Sequence, residues 1–134
     1  MAFDIKLTNL SEKAEAGYEF EVKLPDGSPT DFYITVRGNQ SPKIKKFSKD
    51  LFNKLQMKEL QAKRKGKADQ PVDLDEAEQT LVDSAVARII TWKGLEDGGK
   101  VVEPTPDNIV RIMTELDWVR KQVLDESDND SNFI

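Results

Sequence analysis

One segment constrains the fold more than any other. In residues 18–36, YEFEVKLPDGSPTDFYITV, apolar and polar residues alternate on both sides of a single turn. The alternation predicts two strands, each with one apolar face. The first strand would present Phe20, Val22 and Leu24, and the return strand would present Phe32, Ile34 and Val36. Between the strands, Asp26-Gly27 supplies the positive-φ position that a hairpin turn needs.

The start of the chain extends this β pattern. FDIKL, residues 3–7, alternates as well and is predicted to add a third strand. Two or three strands are not stable alone in water, so their apolar face requires helices packed over it. The first 40 residues therefore predict a short β-hairpin or a small antiparallel sheet that the rest of the chain covers.

A lysine-rich amphipathic helix is predicted over residues 41–66. Ser41 is a favourable N-cap, and Pro42 stands at the first helical position. Apolar residues recur at three- and four-residue steps and form one stripe: Ile44, Phe47, Leu51 and Leu55. Lysines fill the positions between them: Lys43, Lys45, Lys46, Lys49 and Lys54. Gly66 and Pro71 interrupt the pattern, which predicts an exposed linker over residues 67–73.

The net charge of −5 is distributed unevenly along the chain. Residues 1–42 carry −3, residues 43–67 carry +8, and residues 68–134 carry −10. Two interpretations stay open. Either the basic segment contacts an acidic surface in this chain, a second copy or a partner, or it is a solvated helix face followed by a mobile loop. On the first interpretation, the candidate contacts for self-association or for a partner are Lys43, Lys46, Lys49 and Lys54.

An acidic helical region is predicted over residues 74–124. Its apolar stripe consists of Leu74, Ala77, Leu81, Ala85 and Ile89, which Val82, Val86 and Ile90 broaden. A helix that is apolar over so much of its surface usually packs on more than one side. The predicted helix runs into Trp92 and ends at WKGLEDGG, where Gly94 or Gly98 can adopt the left-handed conformation.

PTPDN, residues 104–108, predicts a new helix start. Thr105 would be the N-cap, Pro106 the first residue, and Asp107 a carboxylate at the positive end of the helix dipole. The buried face would consist of Ile109, Ile112, Met113 and Leu116. Asp117 is predicted to cap a last short helix that holds Trp118, Val119 and Val123.

An acidic tail is predicted over residues 125–134. It ends in Phe133 and Ile134, which indicate docking of that end because free tails are usually solvated. Together the patterns predict an α+β fold, predominantly helical, in which the small β region precedes about four helices. At 134 residues the chain is expected to form one compact domain plus this tail.

Composition argues against several functions. The chain has no cysteine and no histidine, which removes thiolate chemistry, the commonest general base and the commonest metal ligand. Gly98-Gly99 lacks the context of a phosphate loop, and the acids around it lack the spacing of an EF-hand. We therefore expect no enzyme, no cofactor and no metal. No apolar run approaches the roughly 18 residues that span a bilayer, and the start lacks a signal-peptide pattern, so no membrane contact is expected.

Nucleic-acid binding through residues 43–67 is an alternative function. Phe47 and Phe52 fall on or beside the apolar stripe, however, rather than forming an exposed platform for base stacking. An isoelectric point near 4.9 also disfavours duplex binding, because the acidic remainder would repel phosphates.

The last fifty residues contain an ordered set of motifs. W-K-G-L-x-D with Gly98-Gly99 is followed by P-T-P-D-N, then by W-V-x-x-Q-V, and finally by N-F-I. In this order and spacing, over about residues 85–134, they resemble the tail assembly chaperones of long-tailed bacteriophages. Two features depart from that pattern: Glu103 stands where many relatives are more apolar, and the segment 63–73 is longer than expected.

The resemblance implies a non-catalytic role. Chaperones of this family bind the aggregation-prone tape measure protein in the cytoplasm of the infected bacterial host and are absent from the mature virion. They keep this client soluble while tail tube subunits polymerise around it. A longer frameshifted form commonly recruits the tail tube protein. A structural virion component, such as a tail completion protein, is the alternative.

The resemblance also suggests how copies of the chain would act together. Copies along a helical client would cover its apolar stripes with amphipathic helices. A basic helix on one copy opposite an acidic region on the next would give a head-to-tail contact, which leads to rings or filaments.

Two interpretations of the corner between Trp92 and Asn108 stay open. In the first, the corner is a structural joint in which Trp92 and Trp118 pack across a helix–turn–helix, while Asp107 and Asn108 satisfy backbone donors. In the second, the corner presents a tryptophan and its acidic turn to the tape measure protein. The candidate residues for the joint or for a partner contact are Trp92, Gly94, Leu95, Asp97, Pro106, Asn108, Trp118 and Gln122.

Overall fold

The structure, a computed structural model, describes residues 2, 5, 10–64 and 74–134. The helices are α1 (Ser11–Ala16), α2 (Pro42–Arg64, with side chains described as far as Gln61), α3 (Leu74–Arg88), α4 (Pro106–Glu115) and α5 (Asp117–Asp128). The strands are β1 (Tyr18–Lys23), β2 (Pro29–Val36), β3 (Ile89–Lys93), β4 (Glu96–Asp97) and β5 (Lys100–Val101). A 3-10 helix follows at Asp130–Phe133. The predicted α+β, mostly helical fold is confirmed.

β1, β2 and β3 form one antiparallel sheet in that order, and β4 and β5 form a separate hairpin. The β1–β2 turn contains Gly27 at φ +89°, as the Asp26-Gly27 pattern predicts. Across the sheet, Ile34 lies opposite Phe20 on one side and opposite Trp92 on the other. A continuous apolar row therefore crosses all three strands on the face that is buried.

The core lies between this apolar face and three helices. α5 lies against β1 and β2, and α3 packs on α4 and α5. The strands contribute Phe20, Val22, Phe32, Ile34, Val36 and Trp92; the helices contribute Val82, Ala85, Ile109, Ile112, Met113, Val119 and Val123. Leu24, which the alternation placed on the same face, is exposed because β1 ends at Lys23.

The predicted helix that runs into Trp92 is wrong at its end. α3 ends at Arg88, and residues 89–93 form β3 instead. Ile89 and Ile90 fit the helical spacing of α3, but they are β-branched and lie where β2 offers an unpaired edge. The third strand of the sheet is therefore β3. The strand predicted at FDIKL lies outside the described residues, except for Ile5, which is in a turn.

The apolar stripe predicted for α3 is wrong in its first half. Val82 and Ala85 are buried, but Leu74, Ala77 and Leu81 are exposed. The core therefore covers α3 only in its C-terminal half, on the helix face that contains Val82. The predicted linker 67–73 lies outside the described residues.

The end of the chain also differs from the predicted tail. α5 begins at Asp117, with Leu116 rather than Asp117 at the N-cap position, and it continues to Asp128. The 3-10 helix then buries Phe133 and leaves Ile134 exposed. Docking of this end is confirmed for Phe133 only. Among the described helices, none is long and apolar enough to cross a membrane.

Candidate functional site: a corner joint and a helical arm

Trp92 lies at the centre of the corner that the sequence singled out. It is 6% exposed, and its ring packs edge-to-face against Phe32 of β2 with the ring centroids 5.8 Å apart. Its indole Nε1 donates a 2.8 Å hydrogen bond to the carbonyl oxygen of Val102. A buried indole N–H needs such an acceptor, so this bond ties the segment after the β4–β5 hairpin to the sheet.

Gly94 brings the end of β3 against the start of β2. Its φ is +85°, and a Cβ at this position would lie 2.1 Å from the carbonyl oxygen of Asp31. Asp31 has a positive φ of its own, 60°. Only glycine suits both the backbone conformation and the available space at position 94.

The β4–β5 hairpin is the acidic turn of the corner. Residues 96–101 are all exposed, whereas Leu95 is half-buried and packs against the core. Asp97 accepts a 2.6 Å hydrogen bond from Arg111 Nη2 of α4. This bond raises the pKa of the Arg111 guanidinium, and Glu115 adds to the effect. The acidic turn is therefore attached to α4 at its surface.

The start of α4 has the predicted N-cap. The Thr105 hydroxyl oxygen accepts a 3.3 Å hydrogen bond from the backbone N–H of Asn108, and Pro106 is the first helical residue. The role predicted for the Asn108 side chain is wrong. Its Nδ2 donates a 2.9 Å hydrogen bond to the carbonyl oxygen of Glu103, so it satisfies a backbone acceptor rather than a donor. Thr105 already supplies an acceptor for this helix start, which leaves the amide to fix the preceding turn.

Gln122 links α5 to the end of β1. Its Oε1 accepts a 2.8 Å hydrogen bond from the Lys23 backbone N–H, and its Nε2 donates a 2.8 Å hydrogen bond to the Lys23 carbonyl oxygen. The same Nε2 lies 3.2 Å from the carbonyl oxygen of Trp118, which is half-buried against the core. The Gln122 side-chain amide thus makes the two hydrogen bonds with the Lys23 backbone that a neighbouring strand would otherwise make.

These contacts join a strand, a hairpin and two helices, so the predicted helix–turn–helix corner is wrong in its first element. The aromatic partner of Trp92 is Phe32 of the sheet. Exposed apolar surface also occurs at the corner, because Val101 is 67% exposed and Val110 is 45% exposed. A partner contact at the corner therefore stays a prediction beside its structural role.

A second region carries most of the exposed apolar surface. Residues 52–61 of α2 and 74–81 of α3, which we call the helical arm, are all exposed except for Thr80. Lys58 of α2 and Glu76 of α3 form an ion pair within the arm. Six large apolar side chains of the arm are between 46% and 79% exposed: Phe52, Leu55, Met57, Leu60, Leu74 and Leu81.

The concentration of these side chains on the arm is unusual for the part of the chain that the structure describes. The other exposed large apolar residues lie on separate elements or turns: Ile5, Leu24, Val101, Val110 and Ile134. Single exposed apolar residues are ordinary, but a concentration of them marks a surface that binds something.

A groove of about 200 Å³ lies between α2 and α3 at the base of the arm. Its lining combines half-buried apolar residues, charged residues and one threonine: Phe47, Leu51, Asp50, Lys54, Asp83 and Thr80. The α2 stripe predicted from the sequence thus changes along its length. Ile44 is buried, Phe47 and Leu51 are half-buried, and Leu55 is exposed.

The four lysines predicted as contacts lie along α2, and all are exposed: Lys43, Lys46, Lys49 and Lys54. Lys54 lines the groove, and Lys43 is one of the positive charges that lower the pKa of Glu15. Their roles in self-association or partner binding stay predictions. Together they form an exposed basic surface along α2 that extends from the first turn of the helix into the arm.

A polar cluster fixes the start of α2 on the domain. The buried Ser41 hydroxyl donates a hydrogen bond to the Glu15 carboxylate, and the Arg37 Nε donates a second one at 3.1 Å. These two hydrogen bonds lower the pKa of the Glu15 carboxyl. The base of α2 is therefore held by charge-assisted contacts, while residues 52–61 of the same helix are exposed.

Phe133 closes the domain beside this cluster. It is 3% exposed, and its ring packs edge-to-face on Tyr18 with the centroids 6.1 Å apart. A Cβ on Gly38 would lie 2.8 Å from the Phe133 ring, so the ring fills the space that glycine leaves. The contact joins the end of the chain to β1 and to the β2–α2 connection.

Met57 and Leu60 were not identified from the sequence, and Phe52 was placed on or beside the apolar stripe. The sequence does distinguish these three residues, because they are large and apolar and stand outside the regular stripe in a helix that is otherwise charged. Their exposure cannot be read from periodicity, which indicates a buried face but not what covers it.

No metal site is evident in the described ranges, where no group of three or more acidic side chains could hold a metal ion. No protein-family model, no curated protein and no solved structure matches this chain. The helical arm and the ordered motifs of the corner are therefore the basis for assigning a function.

Proposed function

We propose that the protein is a non-catalytic tail assembly chaperone of a long-tailed bacteriophage. It binds the tape measure protein, keeps it soluble, and promotes assembly of the tail tube around it. The observation that carries the proposal is the helical arm, in which six large apolar side chains stay exposed on a folded domain. The ordered motifs over residues 85–134 support the same family.

The arm suits an amphipathic helix of the client. Such a helix would place its apolar stripe on Phe52 and Leu55 of the arm and reach into the groove at Phe47. Lys54, which lines the groove, would pair with an acidic residue on the polar face of the client. Binding of this kind covers apolar surface without chemistry and is reversible when tube subunits replace the chaperone.

In this proposal the corner has a positioning role. Trp92 and Gly94 hold β3, and Asn108 and Gln122 hold α4 and α5, so that α3 is presented from a rigid domain. The chaperone acts in the cytoplasm of the infected bacterial host and is absent from the mature virion. A longer frameshifted form would recruit the tail tube protein.

Co-expression with the cognate tape measure protein tests the proposal. We expect the client to become soluble and to co-purify with the wild-type chain. Leu55→Gln combined with Leu60→Gln should leave the client insoluble, whereas Val110→Gln, at an exposed apolar residue outside the arm, should behave as wild type. A client that stays insoluble beside well-folded wild-type protein contradicts the proposal, and recovery of the chain in purified virions would indicate a structural component instead.

One observation favours a second candidate function, binding of nucleic acid. Phe52 is 60% exposed on the lysine-rich helix, although the sequence pattern placed it beside a buried stripe. An exposed aromatic ring among lysines is a surface on which a base can stack. Filter binding of single-stranded RNA and DNA at two salt concentrations tests this function, which requires affinity that falls as salt rises and is lost in Phe52→Ala.

A further inference from the structure

We infer that two copies of this chain pair through their helical arms, with α2 of each copy packed on α3 of the other in a two-fold, four-helix arrangement. The inference does not depend on the proposed function, because it requires only a second copy. In the cell, a client helix and the second copy would compete for the same apolar side chains.

The first argument is that, in the part of the chain that the structure describes, no element covers the apolar side chains of the arm. Its two helices face each other at the Lys58–Glu76 ion pair, but Leu55, Leu60 and Leu74 are each more than half exposed. Helices in proteins derive most of their stability from packing an apolar face, and two helices alone bury little of it. A second helix pair placed on the first makes a four-helix bundle, the usual arrangement for such faces.

The second argument is charge complementarity, which identifies the occupant. Within the arm, residues 52–61 of α2 carry two basic residues and one acidic residue, whereas residues 74–81 of α3 carry three acidic residues and no basic one. Packing α2 on α2 of a second copy would place like charges together. Packing α2 on α3 of the second copy places opposite charges together, and two-fold symmetry makes this favourable contact twice.

The third argument concerns closure. A head-to-tail contact between the basic helix and an acidic surface of the next copy leaves one basic and one acidic surface open until enough copies close into a ring. In the two-fold arrangement, the basic α2 and the acidic α3 of both copies are used at once. The assembly therefore ends at two copies.

Sedimentation equilibrium of the purified full chain measures this directly. We expect the mass to rise with concentration from one chain, 15.2 kDa, to two chains and to stop there. Leu55→Gln with Leu60→Gln should raise the dissociation constant by about a hundredfold or more, as expected when apolar side chains are lost from both copies. Val110→Gln should leave it unchanged, and circular dichroism should show equal helix content in all three proteins.

Charge reversal tests the pairing of α2 with α3. Lys54→Glu changes the net charge of residues 52–61 from +1 to −1, and Asp75→Lys with Glu78→Lys changes that of residues 74–81 from −3 to +1. Each variant alone should sediment as one chain, and an equimolar mixture should restore pairs. The inference is overturned if the wild type stays at one chain at every concentration, if its mass continues past two chains, or if either charge variant alone pairs as tightly as the wild type. None of these outcomes depends on the tape measure protein, so failure here and failure of the proposed function are distinguishable.

Discussion

The indole Nε1 of Trp92 and the carbonyl oxygen of Val102 are joined by a 2.8 Å hydrogen bond across the base of the β4–β5 hairpin. The bond connects the last part of the sheet with the segment that leads into α4. The tryptophan that opens the motif series therefore has a role inside the protein. It positions the acidic turn, whereas we propose that the client binds at the helical arm.

Trp92→Phe should destabilise the protein by about 1–3 kcal/mol, because the ring is largely retained while the buried Val102 carbonyl loses its donor. Urea unfolding followed by circular dichroism measures the change. Trp118→Phe is the control, since Trp118 is only half-buried and should change stability by less. Equal effects of the two substitutions would show that the hydrogen bond contributes nothing measurable.

Gly94→Ala should be far more damaging than Gly98→Ala. Both positions have positive φ, which costs an alanine about 1–2 kcal/mol. At position 94 the Cβ would also meet the Asp31 carbonyl oxygen at 2.1 Å, whereas nothing lies within 4 Å at position 98. We therefore expect a total loss on the order of 3–5 kcal/mol at position 94, seen as a lower unfolding midpoint. A Gly94→Ala protein as stable as the Gly98→Ala protein would exclude this close backbone contact.

The sequence predicted the β1–β2 hairpin and the start of α4 better than it predicted which strands pair in the sheet. Alternation on both sides of Asp26-Gly27 predicts the β1–β2 hairpin, and Thr105-Pro106 predicts the start of α4, because local backbone chemistry decides both. β3 was assigned to a helix because Ile89 and Ile90 continue the helical spacing of α3. Pairing with β2, more than fifty residues earlier in the chain, decides their conformation, and periodicity carries no information on that pairing.

Phe133→Ala should cost about 3–5 kcal/mol, as expected for truncating a buried phenylalanine. The loss removes the ring from Gly38 and Tyr18, so the end of the chain should also become more sensitive to carboxypeptidase. Ile134→Ala is the matched control at an exposed neighbouring position, with an expected change within about 0.5 kcal/mol. Similar unfolding energies for the two variants would contradict the docking of Phe133.

Glu15 should contribute to the acid sensitivity of the fold. Its pKa lies below the ordinary value of 4.5 because Ser41 and Arg37 donate hydrogen bonds to the carboxylate. A lowered folded-state pKa means that the stabilisation is fully present above about pH 4.5 and is lost as pH falls through the folded-state value. Glu15→Gln should therefore lower stability at neutral pH and flatten its decline in acid.

Unfolding by urea at a series of pH values measures this dependence, and Glu12→Gln on the same helix is the control. Glu21 and Asp26 should retain part of the acid sensitivity in both proteins, because hydrogen bonds from Lys23 and from Ser28 lower the pKa values of their carboxyls. A Glu15→Gln protein with the pH profile of the Glu12→Gln protein would show that the cluster at Ser41 does not stabilise the carboxylate.

The helical arm is the part of the candidate site that the sequence predicted least well. The charge division left open whether α2 is a contact surface or a solvated helix face, and Lys54 lines the groove. The apolar residues of α2 are exposed where this helix extends past the rest of the domain. Only the three-dimensional packing shows that this part begins after Leu51. Leu74 and Leu81 were assigned to a buried stripe for the same reason.

Site-specific photocrosslinking is the most direct test of binding at the arm. A photoreactive amino acid replaces Phe52 in one variant and Val110 in another, and each variant is co-expressed with the cognate tape measure protein and irradiated. The arm predicts a crosslink to the tape measure protein from position 52 and little or none from position 110. A soluble client that crosslinks from position 110 but not from position 52 would contradict the assignment of the helical arm as the client-binding surface.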